Sequence, residues 1–326
     1  MKRREVLVLL NGTLLAVLRS RGGAAETTST ILRVGMATIA PRNAPHILAF
    51  IERMAVLGFR DGNNFALEHV PVASIEGYDA AFRELASRNV DIFVAFGNEV
   101  AAAAARAAAQ GRPVVLLALA FDPFAKGYAA SLAHPGGNIT GIFSRQIELA
   151  AKRVELIREA LPHARRVAVL WDAASKDQAA AAQAEAQRTA LAADLVEIRG
   201  EQPDYEAALA SFSVAEQEPV VVPESPVFAR DQVKLGRLLV ERGLPAIGAA
   251  KEDAQAGALL SYGVSLRGAL REVADYVARI AKGARPSDLP IEQPRSFELL
   301  VNLKTAKLLD IAIPPALLAR ADEVIE

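Results

Sequence analysis

Cysteine is missing altogether from the 326 residues. With it go disulfides, thiolate zinc sites, a catalytic thiol and any lipid anchor attached through cysteine. Histidine is almost as scarce: His46, His69, His134 and His163 are widely scattered. None stands at metal-ligand spacing from another, so no metal site is expected. Net charge is −1, which advertises neither nucleic acid nor an anionic membrane as a partner. Motifs of common enzyme classes are also lacking. There is no Gly-x-Gly-x-x-Gly after a strand, no Walker loop, no Gly-x-Ser-x-Gly elbow and no His-Glu-x-x-His. The stretch Gly263-Val264-Ser265-Leu266-Arg267-Gly268 imitates an elbow only superficially, because Ser265 reads as a helix cap and no histidine is an evident partner. No cofactor and no catalytic residue is called for.

No apolar run is long enough for a stable membrane span. The longest candidate, Val6 to Leu18, follows the basic Lys2-Arg3-Arg4 and precedes the small residues Gly23-Ala24-Ala25. That layout predicts a secretory signal over residues 1–25. Arg3-Arg4 also admits a twin-arginine reading, and Arg19 and Arg21 leave the cleavage point open.

What is present is a regular α/β pattern. The length suggests two domains, and 52% hydrophobic residues suffice for well-formed cores. Strands are predicted at 31–36, 65–70, 90–96 and 113–120, with helices to about Leu57, over 78–88 and over 101–109. After the turn-rich His134-Pro135-Gly136-Gly137-Asn138-Ile139-Thr140-Gly141 the same grammar restarts. Helices are expected at 146–161, 175–192 and 205–217, through 232–241 and over 265–282. Strands are expected at 165–171, 195–198, 219–222, 246–249 and 259–262. One more strand and one or two short helices follow Phe297. Ser265 and Gly283 are the expected caps of the 265–282 helix. Strands alternating with helices of this length argue for parallel βαβ units with right-handed crossovers. No internal repeat is visible in the residues themselves.

Several blocks together carry a family likeness: Pro135-Gly136-Gly137-Asn138-Ile139-Thr140-Gly141, Glu148 to Arg153, Val167 to Trp171, Asp288 to Pro294, and Val301 to Lys307 running on to Ile325. In these the chain resembles bacterial ABC-transporter substrate-binding proteins whose better-known members bind tryptophan or phenylalanine. The likeness runs from about Leu32 to the C-terminus. It implies a type I periplasmic-binding-protein fold, with two doubly wound parallel-sheet lobes joined by three crossovers. The expected division is 31–141 plus 264–289 for lobe 1 and 142–263 plus 290–326 for lobe 2. The implied function is the periplasmic solute-binding component of an ABC importer. It would be a monomer with a small-molecule ligand, docking transiently on an inner-membrane permease. A periplasmic ligand sensor without transport, or an α/β enzyme, are the alternatives. A DNA-binding repressor of the same fold is disfavoured, since the first strand follows straight after the export segment and leaves no room for a helix-turn-helix.

In open parallel sheets, ligands bind outside the carboxyl ends of the strands. Applied to this chain, that rule nominates Thr38, Asn98, Phe121 and Asp122 in lobe 1. In lobe 2 it nominates Trp171, Asp172, Glu224, Ser225 and Lys251. Asp122 corresponds to the family's Asp-Pro pair and would receive a ligand ammonium. Trp171 and Phe121 would supply apolar walls. Each has a plainer alternative: Trp171 as core, Asp122 as turn chemistry, Lys251-Glu252-Asp253 as a solvated loop, Glu99 as a helix-start acid.

The departures from the family bear on the ligand. Asp172-Ala173 stands where relatives commonly have Asn-Pro, and Pro223-Glu224-Ser225-Pro226 where many have Asp-Pro. An aromatic residue often found near Gly248 is missing. The rim thus holds Asp122, Asp172, Glu224, Glu252 and Asp253 against Lys251, which leads us to expect a ligand with a positive group and less aromatic surface than tryptophan.

Overall fold

Strands buried on both faces organise the chain into two sheets. In the computed structural model, which describes residues 31–200, 202–212 and 218–326, Val167 and Val169 point to one core while Ala168 and Leu170 point to another. Val114 to Ala118 is buried throughout. Such strands need helices on both sides. The expected secretory signal lies outside the described residues. No helix among the described residues is long and apolar enough to cross a membrane.

The first sheet is built from β1 (Leu32–Thr38), α1 (Pro45–Val56), β2 (Phe65–Pro71), α2 (Tyr78–Ser87), β3 (Ile92–Gly97), α3 (Glu99–Ala109), β4 (Val114–Ala118) and β5 (Ile139–Phe143). Its strand order is β2-β1-β3-β4-β5, all parallel. The chain then supplies α4 (Gln146–Ala160), β6 (Arg166–Trp171), α5 (Lys176–Arg188), β7 (Ala192–Glu197), α6 (Tyr205–Ala208) and β8 (Val220–Val221). It continues through α7 (Pro226–Glu241), β9 (Ala246–Gly248), α8 (Lys251–Ala256) and β10 (Leu260–Val264). Next, α9 (Leu266–Ala281) returns to the first sheet, where Leu270, Val273 and Val277 join Phe50 and Met54 of α1 in one core. The chain ends with β11 (Phe297–Asn302), α10 (Leu303–Leu308), α11 (Pro315–Leu318) and β12 (Glu323–Ile325). The second sheet has the order β12-β11-β10-β9-β8-β6-β7. Within it β11 runs antiparallel to β10, and β12 runs parallel to β11.

Most expected elements appear near their expected bounds, and Ser265 caps α9 by accepting from the Gly268 N–H at 3.3 Å. Three differ. The helix expected to 192 stops at Arg188, because Ala190 adopts φ +58 and the following residues pair with β6 as a strand. Within the described residues the helix expected over 205–217 is only α6, after which Leu209 and Phe212 turn into the core under α7. Residues 251–256 form a helix rather than a loop, and β12 adds an edge strand that the pattern did not announce.

Three crossings join the sheets, at 144–145, at Ser265 and at 290–296. Backbone hydrogen bonds tie them to one another and to the sheets. The Phe143 N–H donates to the Glu292 carbonyl at 2.9 Å, and the Glu292 N–H donates to the Gly141 carbonyl at 3.1 Å. The Ser265 N–H donates to the Ser296 carbonyl at 3.0 Å. Thr140, fully buried, donates its hydroxyl to the Leu289 carbonyl at 2.7 Å. Asn138 docks the turn ahead of β5, donating its amide to the Arg112 carbonyl at 2.5 Å. Gly141 is the tight point. It sits at φ +141 opposite Leu116, and a Cβ there would fall 2.1 Å from the Leu116 carbonyl oxygen.

Gly141→Ala should therefore destabilise the protein by about 3 kcal/mol, through steric clash and backbone strain together. Urea unfolding followed by circular dichroism checks this, and an unchanged midpoint would contradict the close approach.

Candidate functional site

The carboxyl ends of both sheets face one cavity of about 460 Å³. Pro45 and His46 at the start of α1 and Leu119 after β4 form one wall. Glu224 after β8 and Ala249 to Glu252 after β9 form the other. Gln146, Val264 and Arg267, beside the crossings, close the base, with Glu298 and Glu323 at the second sheet's edge. A larger open basin of about 860 Å³ lies between α6 and α7, but only the second sheet's own elements line it.

Glu224 is held by its main chain. Gln178 of α5 donates its amide to the Glu224 carbonyl at 2.8 Å and accepts from the Glu224 N–H at 3.1 Å. Burial pushes the Glu224 carboxyl up to about 7, nearby Asp253 adds to the rise, and the Arg153 guanidinium opposes it. Asp253 folds back to accept from the Ala249 and Ala250 N–H groups at 2.8 and 2.9 Å. Its carboxyl is also raised, to about 6, chiefly by burial. Gly248 makes room for it, since a Cβ there would stand 2.2 Å from the Asp253 Cβ.

Behind Gln146 lies Arg153, with 0% of its surface exposed. Its Nε donates to the Tyr262 carbonyl at 2.8 Å and its Nη2 to Gln146 Oε1 at 3.1 Å, while Nη1 is buried without a partner among the described residues. Burial pulls its pKa down to about 10, so it remains a cation at neutral pH. On the facing wall His46 packs 5.5 Å from the Phe96 ring, and its Nε2 is buried without a partner among the described residues. Burial lowers its pKa, with Glu252 across the cavity pulling the other way. His46 is therefore neutral near pH 7.

Of the residues nominated from sequence, Glu224 and Lys251 line this cavity. Lys251 is ion-paired with Glu323 of β12. Asp172 and Ser225 form one buried unit, 6% and 1% exposed. Asp172 accepts from the Ser175 N–H and hydroxyl on one oxygen, at 2.9 and 2.6 Å, and from the Ser225 hydroxyl at 2.9 Å on the other. Ser225 in turn caps α7. These side chains fix the loop that carries Glu224. Trp171 packs its ring on the core beside α4 and α5 and leaves Nε1 buried without a partner among the described residues. Thr38 accepts from the Ala40 N–H at 3.1 Å, and Asn98 caps α3 by accepting from the Ala101 N–H at 2.9 Å. Phe121 stands edge-on to Tyr128 at 5.9 Å, and exposed Asp122 accepts from the Phe124 and Ala125 N–H groups at 2.7 and 3.2 Å. Those four stay on the first sheet's rim, outside the lining of the cavity.

His46, Gln146, Arg153, Arg267, Glu298 and Glu323 were not nominated. His46 lies just past the loop after β1 that the carboxyl-end rule covers. Glu298 and Glu323 escape that rule because β11 runs backwards: Glu298 pairs with Gly263, so the start of β11 sits beside the end of β10. β12, parallel to β11, brings its own first residue to the same rim.

Two α/β units, three crossings and a cavity at the facing carboxyl ends define the type I periplasmic-binding-protein fold. The chain matches the family of ABC transporter substrate binding proteins over residues 50–325, and it belongs to that family. A tyrosine-binding protein of Clostridioides difficile (strain R20291) is 23% identical over 267 residues, 80% of this chain and 75% of that one. A conserved domain protein of Vibrio cholerae superposes with a TM-score of 0.78 at 22% identity, covering 90% of this chain and 100% of that one. An ABC domain from Streptococcus pneumonia in complex with L-Trp gives 0.75 at 20% identity, covering 91% and 100%.

Glu224, raised from 4.5 to about 7, holds its proton in the fold at pH values where the unfolded chain has lost it. Its contribution to stability is therefore present below about pH 4.5 and declines as pH rises to about 7. Glu224→Gln should remove that decline, so its urea midpoint relative to the parent grows from pH 5 to pH 7.5. A difference that shrinks with pH would contradict the assignment.

Proposed function

We propose that the protein is the periplasmic solute-binding component of an ABC importer and captures a small polar or amino-acid-like ligand in this cleft. The observation that carries the reading is the cavity of about 460 Å³ to which both sheets contribute. That size suits a small metabolite, and a ligand touching both walls stabilises the closed arrangement over the open one. The moving bodies would be 31–141 with 264–289, and 142–263 with 290–326, turning about the three hydrogen-bonded crossings. No covalent step is required and no enzyme activity is proposed. The closed form would dock as a monomer on a permease of the inner membrane.

Among the nominated residues, Glu224 and Lys251 are proposed as direct wall residues. Asp172 and Ser225 act through the position of Glu224. Thr38, Asn98, Phe121, Asp122 and Trp171 would reach ligand only as the walls approach one another.

Mass spectrometry of ligand released from natively purified protein should identify a bound small molecule. Adding it back at a hundred times its Kd should stabilise the fold by about 2.7 kcal/mol. Small-angle scattering should show the radius of gyration falling on addition. Stabilisation with an unchanged radius would contradict capture by closure.

A further inference from the structure

We propose that the ligand is a small aliphatic amine of net positive charge, its ammonium held between Glu224 and Glu252. This rests on the capture reading above and names the chemistry that the cleft selects. The walls carry four carboxylates, Glu224, Glu252, Glu298 and Glu323, against two fixed cations, Lys251 and Arg267. Two of the four are already engaged. Glu323 pairs with Lys251, and Glu298 accepts the Ser265 hydroxyl. Glu224 and Glu252 make no ion pair among the described residues, although Gln178 fixes the backbone of the first and α8 the backbone of the second.

The surroundings favour a cation here in three further ways. The facing ring, His46, is neutral near pH 7. It therefore does not repel an ammonium. Arg153 supplies compensating charge from behind the wall, with Nε and Nη2 engaged by the Tyr262 carbonyl and Gln146, and among the described residues it makes no bond to Glu224. Finally, none of the residues lining the cavity is phenylalanine, tyrosine or tryptophan. Phe121 and Trp171 pack elsewhere, so an aromatic side chain would find no stacking partner beyond the His46 ring. Exposed Arg267 beside the crossings can meet a carboxylate at the far end of the ligand, which admits a basic amino acid as well as a diamine.

Proton linkage is a consequence. The groups facing Glu224 are Asp253 and Glu252 from α8 and Arg153 from α4, with His46 of α1 facing Glu252. Near pH 7 the Glu224 carboxyl is partly protonated. An arriving ammonium favours the carboxylate, so binding releases a proton and tightens as pH rises.

Titration calorimetry of the full chain, freed of co-purified ligand, tests this with 1,4-diaminobutane, L-lysine, L-leucine and L-tryptophan. The two cations should bind, about tenfold more tightly at pH 8 than at pH 6, with proton release shown by buffers of different ionisation enthalpy. Glu224→Gln and, separately, Glu252→Gln should each weaken them about tenfold or more. Binding of leucine or tryptophan that is indifferent to both substitutions would overturn the charge proposal while leaving capture intact. Failure of all four probes would also overturn it, and the co-purified ligand would then decide the capture reading by itself.

Discussion

The backbone bridge between the end of β5 and Glu292 is the constraint on which the cleft depends. Phe143 and Gly141 hold Glu292 in a short parallel pairing next to Ile142, and buried Thr140 fastens the Leu289 carbonyl beside them. Two of the three crossings are thereby joined at one place. The units cannot separate freely, yet a few loop residues can absorb a rotation. The glycine at 141 permits it, because any Cβ would strike the neighbouring strand. The bridge keeps the two rims facing one another.

On the second rim, polar groups are arranged in layers. Asp172, Ser175 and Ser225 satisfy one another and anchor the loop after β8. Asp253 satisfies two backbone N–H groups. In front of them stand Glu224 and Glu252, which no cation among the described residues pairs. A half-buried carboxylate left in that condition is unfavourable for the free protein. It becomes an asset only when something outside the chain brings positive charge to it. On the cation proposal, that cost is recovered on binding, which favours the liganded form.

Much of this architecture was legible in the residues. Short β-branched apolar runs such as Val114 to Ala118 read as strands covered on both faces, and Ser265 and Asn98 mark helix starts by the chemistry of their side chains. The family blocks supplied the lobe arrangement. The carboxyl-end rule brought Glu224 and Lys251 to the cavity wall because it depends only on strand direction. The same dependence hid Glu298 and Glu323: a reversed strand cannot be recognised from its own composition, so its first residues were not counted on the rim. Nor can residue type separate an aspartate whose oxygens are used within the fold, as in Asp172, from an acid that is left open, as in Glu252. That distinction is made by tertiary neighbours such as Ser175 and Ser225, which come together only in the folded chain. The short helix α8 was obscured for a similar reason, since Asp253 works there as a backbone clamp and looks in sequence like any loop acid.

The most direct test of the central claim, that one ligand is shared by both rims, is a crystal structure of the protein with the ligand it carries from its native host. The account predicts electron density in the cavity between Glu224 and His46, in contact with residues from both sheets. Density confined to the basin between α6 and α7, touching the second sheet's elements alone, would contradict it.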